Sequence, residues 1–117
     1  MLSFPGAVKI YVYTKPTDMR RSFDGLAGVV SHAIGRDPLS GHLFVFVNRR
    51  GDLLKILWWA RGGYAIYYRR LEVGSFQLPS GDAETVEIDA TELAMILDGV
   101  DLAAERLPRY VPATVAG

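Results

Sequence analysis

Five arginines stand where the sequence turns or ends a strand, and each has an aromatic residue near it in the chain. Arg49 and Arg50 lie in NRRGD, Arg61 in WWARGGY, and Arg69 and Arg70 at the end of YAIYYRR. Cations set beside aromatic rings suit one chemistry, contact with phosphates combined with stacking on bases. Lys55, inside LLKILWW, adds a further cation. Arg20 and Arg21 open a helical pattern, where exposed backbone amides also favour an anion. The candidate polyanion-binding set is therefore Arg20, Arg21, Arg49, Arg50, Lys55, Arg61, Arg69 and Arg70. Arg49, Arg50 and Arg61 anchor it, because they are charged residues on turns with no packing duty visible in the sequence.

The aromatic residues admit a second use. Trp59, Tyr64 and Tyr68 fall on one face of the predicted sheet, where they either pack the sheet surface or form an apolar patch that docks a partner. Catalysis has less to stand on. The chain has no cysteine, which removes thiolate chemistry and disulfides, and its two histidines, His32 and His42, lack the HExxH spacing of a zinc site. Asp18, Asp24, Asp37 and Asp52 could be drawn together as a metal-dependent nuclease cluster. Each has a local explanation instead: Asp18 as a helix cap, Asp37 and Asp52 as turn residues, Asp24 on the polar side of a helix. No nucleophile elbow or phosphate loop is present either. The expectation is a protein that is not an enzyme and needs no metal or cofactor.

The elements that must position these residues fit one domain, given 117 residues of which half are apolar. Formal net charge is zero, but residues 1–79 carry eleven Lys and Arg against five Asp and Glu, and residues 80–117 carry two against eight. A basic body therefore precedes an acidic region, which either neutralises it in the fold or leaves a basic face for a polyanion. The longest apolar run, FVFVNRRGDLLKILWW, is broken by its charged turn and by Lys55, so no stretch can span a bilayer. MLSFPGAVKI has no basic region followed by an apolar block and cleavage site. A cytoplasmic protein with no membrane partner is expected.

AVKIYVY at 7–13 reads as a strand. Residues 18–34 follow as an amphipathic helix capped by Asp18, with Met19, Phe23, Leu26, Ala27, Val30 and Ile34 at helical spacing, and Gly35 ends it. Strands at 43–48, LLKILWW and YAIYYRRL, joined by NRRGD and ARGG, make an antiparallel meander. Four-residue turns place Trp59 opposite Tyr64, Leu57 opposite Ile66, and Lys55 between Phe46 and Tyr68. Leu43, Val45, Val47, Leu54, Ile56, Trp58, Ala65, Tyr67 and Arg69 then share the other face. Both faces are strongly apolar, so the helix must cover one, and the C-terminal segments or another molecule the other. TVEID is a short strand, ATELAMILDGV a helix, LAAERL one more turn, and PRYVPATVAG a frayed end. The fold class is α+β: a single small domain over 1–110 with an antiparallel β-meander, one amphipathic helix packed on it and a C-terminal strand–helix segment, then a flexible tail at 111–117.

TDMRRSFDGL at 17–26, RDPLSGHLFVFVNRRGDLLKILWW at 36–59, RRLEVGSFQLP at 69–79 and LAMILDGVD at 93–101 resemble, in order and spacing, the small accessory protein of bacterial insertion sequence 66 elements, called Orf2-like or TnpB of this element class. Two details depart from that pattern: the family usually has a basic residue followed by glycine where Arg21 and Ser22 stand, and an acidic residue where Ala60 follows the tryptophans. The resemblance implies a protein that assists transposition beside a larger transposase, and it carries over no catalytic residues. Expected partners are that transposase, DNA at the element's ends, and a second copy of the chain. The alternative is a protein-binding adaptor or self-associating module without direct DNA contact.

Overall fold

In the computed structural model, residues 8–99 are described. They form a five-stranded sheet in the order β4-β3-β2-β1-β5, from β1 (Ile10–Tyr13), β2 (Leu43–Val47), β3 (Leu53–Ala60), β4 (Gly63–Arg70) and β5 (Thr85–Ile88). α1 (Phe23–Val29), continued by a π-helical turn at Val30–Ile34, connects β1 to its parallel neighbour β2. The remaining neighbours are antiparallel, with β2, β3 and β4 forming the meander. α2 (Ala90–Leu97) follows β5 and opens with a capping box: the Asp89 side chain accepts from the Glu92 amide, and the Glu92 side chain accepts from the Asp89 amide. The turn expected in LAAERL, the tail at 111–117 and the domain boundary before it lie outside the described residues.

The sheet register is the one that the alternation of side chains predicts. Trp59 pairs with Tyr64, Leu57 with Ile66, and Lys55 with both Phe46 and Tyr68. The β3–β4 connection closes one pair tighter than a four-residue loop, because Ala60 also pairs with Gly63. Arg61 and Gly62, both with positive φ, form the two-residue turn between them.

Two buried clusters flank the sheet. Val45, Ile56, Val12 and Leu54 pack on one side with Phe76, Leu93 and Ile96, so the C-terminal segment covers that face. Phe44, Phe46, Leu57 and Tyr11 pack on the other with Leu26 and Val30 of the helix.

The helix begins later than its apolar spacing predicts, at Phe23 rather than near Asp18. A helix running from Asp18 would use the Met19 and Arg21 carbonyls as acceptors for amides four residues on. Both carbonyls instead accept from the Lys55 ammonium, at 2.8 and 2.7 Å. Asp18 accordingly caps a turn and not the helix, its carboxylate accepting from the Arg20 amide at 2.9 Å. The result is an arch over residues 16–21 that crosses the end of the sheet, tied down where the Thr17 amide donates to the Val47 carbonyl.

Candidate nucleic-acid interface

The β2–β3 turn is held from several directions. Asn48 donates through its side-chain amide to Asp52 at 2.8 Å and accepts from the Leu53 amide at 3.0 Å. That hydrogen bond from Asn48 holds the Asp52 carboxyl below its usual range, and the charges of Arg50 and Arg70 act in the same direction. Gly51 takes φ +80, where a Cβ would also come within 3.1 Å of Ser75, and its carbonyl accepts from the Phe76 amide at 2.7 Å. The turn's backbone is fixed while its cationic side chains are exposed. Arg49 and Arg50 form no hydrogen bond or ion pair among the described residues.

Between this turn and the 16–21 arch lies an open cleft of about 660 Å³, lined by Pro16, Thr17, Asp18, Met19, Arg20, Asn48, Arg49, Arg50, Leu53 and Tyr68. Tyr68 is 53% exposed and forms the aromatic wall. Three arginines face one aspartate here, and Asp18 stays ionised because hydrogen bonds from Arg20 lower its pKa to about 2. The Arg20–Asp18 ion pair, at 2.7 Å, takes up part of the positive charge. Cations on a rigid turn, an aromatic wall and an open mouth can hold a phosphate chain with a base laid against Tyr68.

The eight basic residues of the candidate set do not gather in one place. Arg20, Arg49 and Arg50 line the cleft, and Arg70, bonded to Glu72 at 2.8 Å, ends β4 at the same end of the sheet. Arg69 pairs with Leu54 and so belongs to the opposite face. Arg21 lines a separate shallow depression along the helix, with Asp24, Gly25 and His32. Arg61 sits at the far end of β3, about 20 Å away along an eight-residue strand, because consecutive hairpin turns lie at opposite ends of a sheet. Lys55 leaves the surface set altogether: it is 7% exposed, bonded to two carbonyls and placed 4.7 Å from the centre of the Tyr68 ring. It positions the arch, and through the arch the cleft.

Among the residues expected to dock a partner, Trp59 and Tyr64 contact each other edge to face at 5.0 Å and are half-buried, whereas Tyr68 stands open. The arch and Asn48 are site features that residue typing passes over; the turn formers in KPTD and the asparagine leading into RRGD are their only local signals. The histidines have local partners. His42 accepts from the Lys9 amide through Nδ1 at 3.0 Å, and a His32 ring nitrogen lies 3.1 Å from the Gly28 carbonyl. Among the described residues no group of three or more His, Asp or Glu side chains is placed to hold a metal ion, and no helix is long and apolar enough to cross a membrane.

Among the described residues, pairing across the two halves of the chain is sparse. Of three ion pairs among the described residues, only Lys15–Glu84 joins the basic body to the acidic region. Compared with known proteins, residues 8–106 match the family model described as IS66 Orf2 like protein. The chain is similar to two proteins of Sinorhizobium fredii (strain NBRC 101917 / NGR234). Uncharacterized protein y4hO is 37% identical over 94 residues, covering 80% of this chain and 82% of that protein. Uncharacterized protein y4jC is 32% identical over 110 residues, covering 93% and 94%. No solved structure matches.

Proposed function

Since the chain belongs to the IS66 Orf2-like family of insertion elements, we propose that it assists transposition, without catalysis of its own, by binding DNA through the cleft between the 16–21 arch and the β2–β3 turn. Arg49 and Arg50 contact phosphates, Tyr68 carries a base, and Lys55 keeps the arch in place. The observation that supports this most directly is the pair of exposed arginines, with no carboxylate partner among the described residues, on a turn whose backbone is pinned by Asn48, Phe76 and Leu71. Two cations that no described carboxylate occupies are available to an external anion. Transposase recruitment is the second part of the reading, and the exposed rings of Tyr67 and Tyr68 on β4 favour it.

The test is binding of the purified protein to fluorescent DNA, single-stranded and duplex, carrying the element's terminal repeats or unrelated sequence, titrated across salt with and without transposase. Binding by the protein alone should weaken steeply with salt. The Arg49→Ala/Arg50→Ala variant should lower affinity by about tenfold or more and reduce the slope of log K against log salt by about 1.4–1.8, the release expected for two phosphate contacts. Lys9→Ala, at the opposite end of the sheet, serves as a charge-loss control and should leave both unchanged. An unaltered salt slope in the double variant would remove the cleft from the reading. DNA retention only in the presence of transposase would make the protein an adaptor.

A further inference from the structure

We infer that β4 is the pairing edge of a two-fold symmetric dimer, in which a second copy of this chain adds its own β4 antiparallel to the first. This goes beyond the DNA-binding reading and does not depend on it. In an antiparallel ladder, residues that exchange both backbone hydrogen bonds with the neighbouring strand alternate with residues whose amide and carbonyl point away. The two-residue turn closing on Ala60 and Gly63, and the bond from the Leu71 amide to the Asp52 carbonyl at 2.9 Å, fix which residues are which. Gly63, Ala65, Tyr67 and Arg69 bond inward to β3. Tyr64, Ile66, Tyr68 and Arg70 present their backbone groups outward, and among the described residues nothing accepts them.

The two edges of the sheet are treated differently. β5, at one edge, has four residues and carries Glu87, the short and charged form by which sheets discourage pairing. β4, at the other, has eight residues in unbroken register with β3, and Gly63–Tyr68 contains no charge and no proline. An edge of that length without such devices is a template for another strand.

The sequence of β4 selects a second copy as the occupant. With the two-fold axis at Ile66, Ile66 meets itself, Tyr64 meets Tyr68 of the second copy, and Ala65 meets Tyr67. These pairs are aromatic or aliphatic on both faces. Arg69 and Arg70 fall opposite Gly63 and Gly62, which have no side chains, so no like charges are directly opposed. The three pairs at 64, 66 and 68 would add about six backbone hydrogen bonds. An axis perpendicular to the sheet leaves both clefts on the same face. It also brings Arg61 of the second copy to the end of β4 where Arg70 and Glu72 lie, reuniting basic residues that one chain holds at opposite ends.

The experiment uses the full chain without DNA. Mass by sedimentation or light scattering should rise from monomer to dimer with concentration. Ile66→Lys sets like charges on the axis and should raise the concentration needed for dimer by about tenfold or more. Because the chain has no cysteine, Ile66→Cys gives a single reporter. The expected Cα separation across a hydrogen-bonded pair, about 5.5 Å, lies within disulfide reach, so mild oxidation should link two copies. Glu87→Cys, on the other edge, should not link. A monomer at all concentrations, a dimer that Ile66→Cys fails to link, or linking by Glu87→Cys instead would each overturn the proposal. So would a monomer whose Tyr64, Ile66 and Tyr68 amides are protected from hydrogen exchange, because the chain would then cover its own edge.

Discussion

On the face that carries Val45 and Ile56, the covering layer is Phe76, Leu93, Ile96 and their neighbours, and every buried side chain in that cluster is apolar. On the face that carries Phe44 and Leu57, the helix covers the centre, and beyond it the sheet meets Lys55, Tyr68 and the 16–21 arch. The buried polar residues among those described, Thr17 and Lys55, both serve this second region. Burying an ammonium is costly unless its donors are occupied, and here the two carbonyls and the Tyr68 ring surround it. The first face closes the domain by exclusion of water alone. The second uses a tied charge to hold a polypeptide arch where helix propensity would have placed a helix, and the cleft is the space that arrangement leaves.

The largest expected effect comes from opening the dry face. Ile96 is fully buried where α2 meets the sheet, and Ile96→Ala removes three carbon atoms from a packed site. Unfolding by urea, followed by circular dichroism, should show a loss of about 2–5 kcal/mol. A loss under about 1 kcal/mol would mean that the C-terminal layer collapses into the space and is not a fixed part of the core.

That contrast also marks what sequence could disclose. Strand alternation in FVFV, LLKILWW and YAIYY places every residue of the meander on its observed side, because a period of two leaves no other register once the turns are located. The capacity of the C-terminal segment to cover one face follows from the double-sided apolar pattern. The arch does not, since Met19, Phe23, Leu26 and Val30 keep helical spacing through a stretch whose first residues are not helical. What overrides the pattern is a contact between Lys55 and carbonyls more than thirty residues earlier, which no local rule contains. The same limit governs the candidate site. Arg49 and Arg50 are legible as turn cations, while Arg61 looks adjacent in sequence only because the strand between the turns is short to read and long in space.

Replacing Lys55 with methionine separates the two faces at intermediate cost. Methionine fills much of the same volume but leaves the Met19 and Arg21 carbonyls without their donor. Those carbonyls belong to half-buried and exposed residues, so water can reach them, and the relief of a buried charge offsets part of the loss. A global destabilisation of about 1–3 kcal/mol is expected, below that of Ile96→Ala. The sharper readout is local. The amides of Thr17 and Arg21, which donate to Val47 and Asp18, should lose hydrogen-exchange protection in Lys55→Met while amides of β2 and β3 keep theirs. Retained protection at Thr17 and Arg21 would show that the arch stands without the lysine.

The smallest effect lies at the cleft's own carboxylate. Asp18 has a folded pKa of about 2, against an ordinary value of 3.8, because Arg20 donates to it from both its side chain and its backbone amide. A depressed carboxylate adds stability that is present above the ordinary value and disappears as pH falls through the folded one. The stability difference between the protein and Asp18→Asn should therefore be visible near pH 6, shrink as the pH falls below the ordinary value and vanish only below the folded one. Asparagine can still accept from the Arg20 amide but not pair with its guanidinium, and the pair is exposed, so the difference should be small. In a carboxyl titration followed by NMR, an Asp18 midpoint near 4 would refute the pairing. DNA affinity should move the opposite way. The same substitution removes the negative charge lining the cleft and releases Arg20 to join Arg49 and Arg50, so the variant should be slightly less stable and bind DNA more tightly with a steeper salt slope. If both stability and affinity fell, Asp18 would be shaping the arch for its ligand, and the ion pair would belong to the site's architecture more than to its charge.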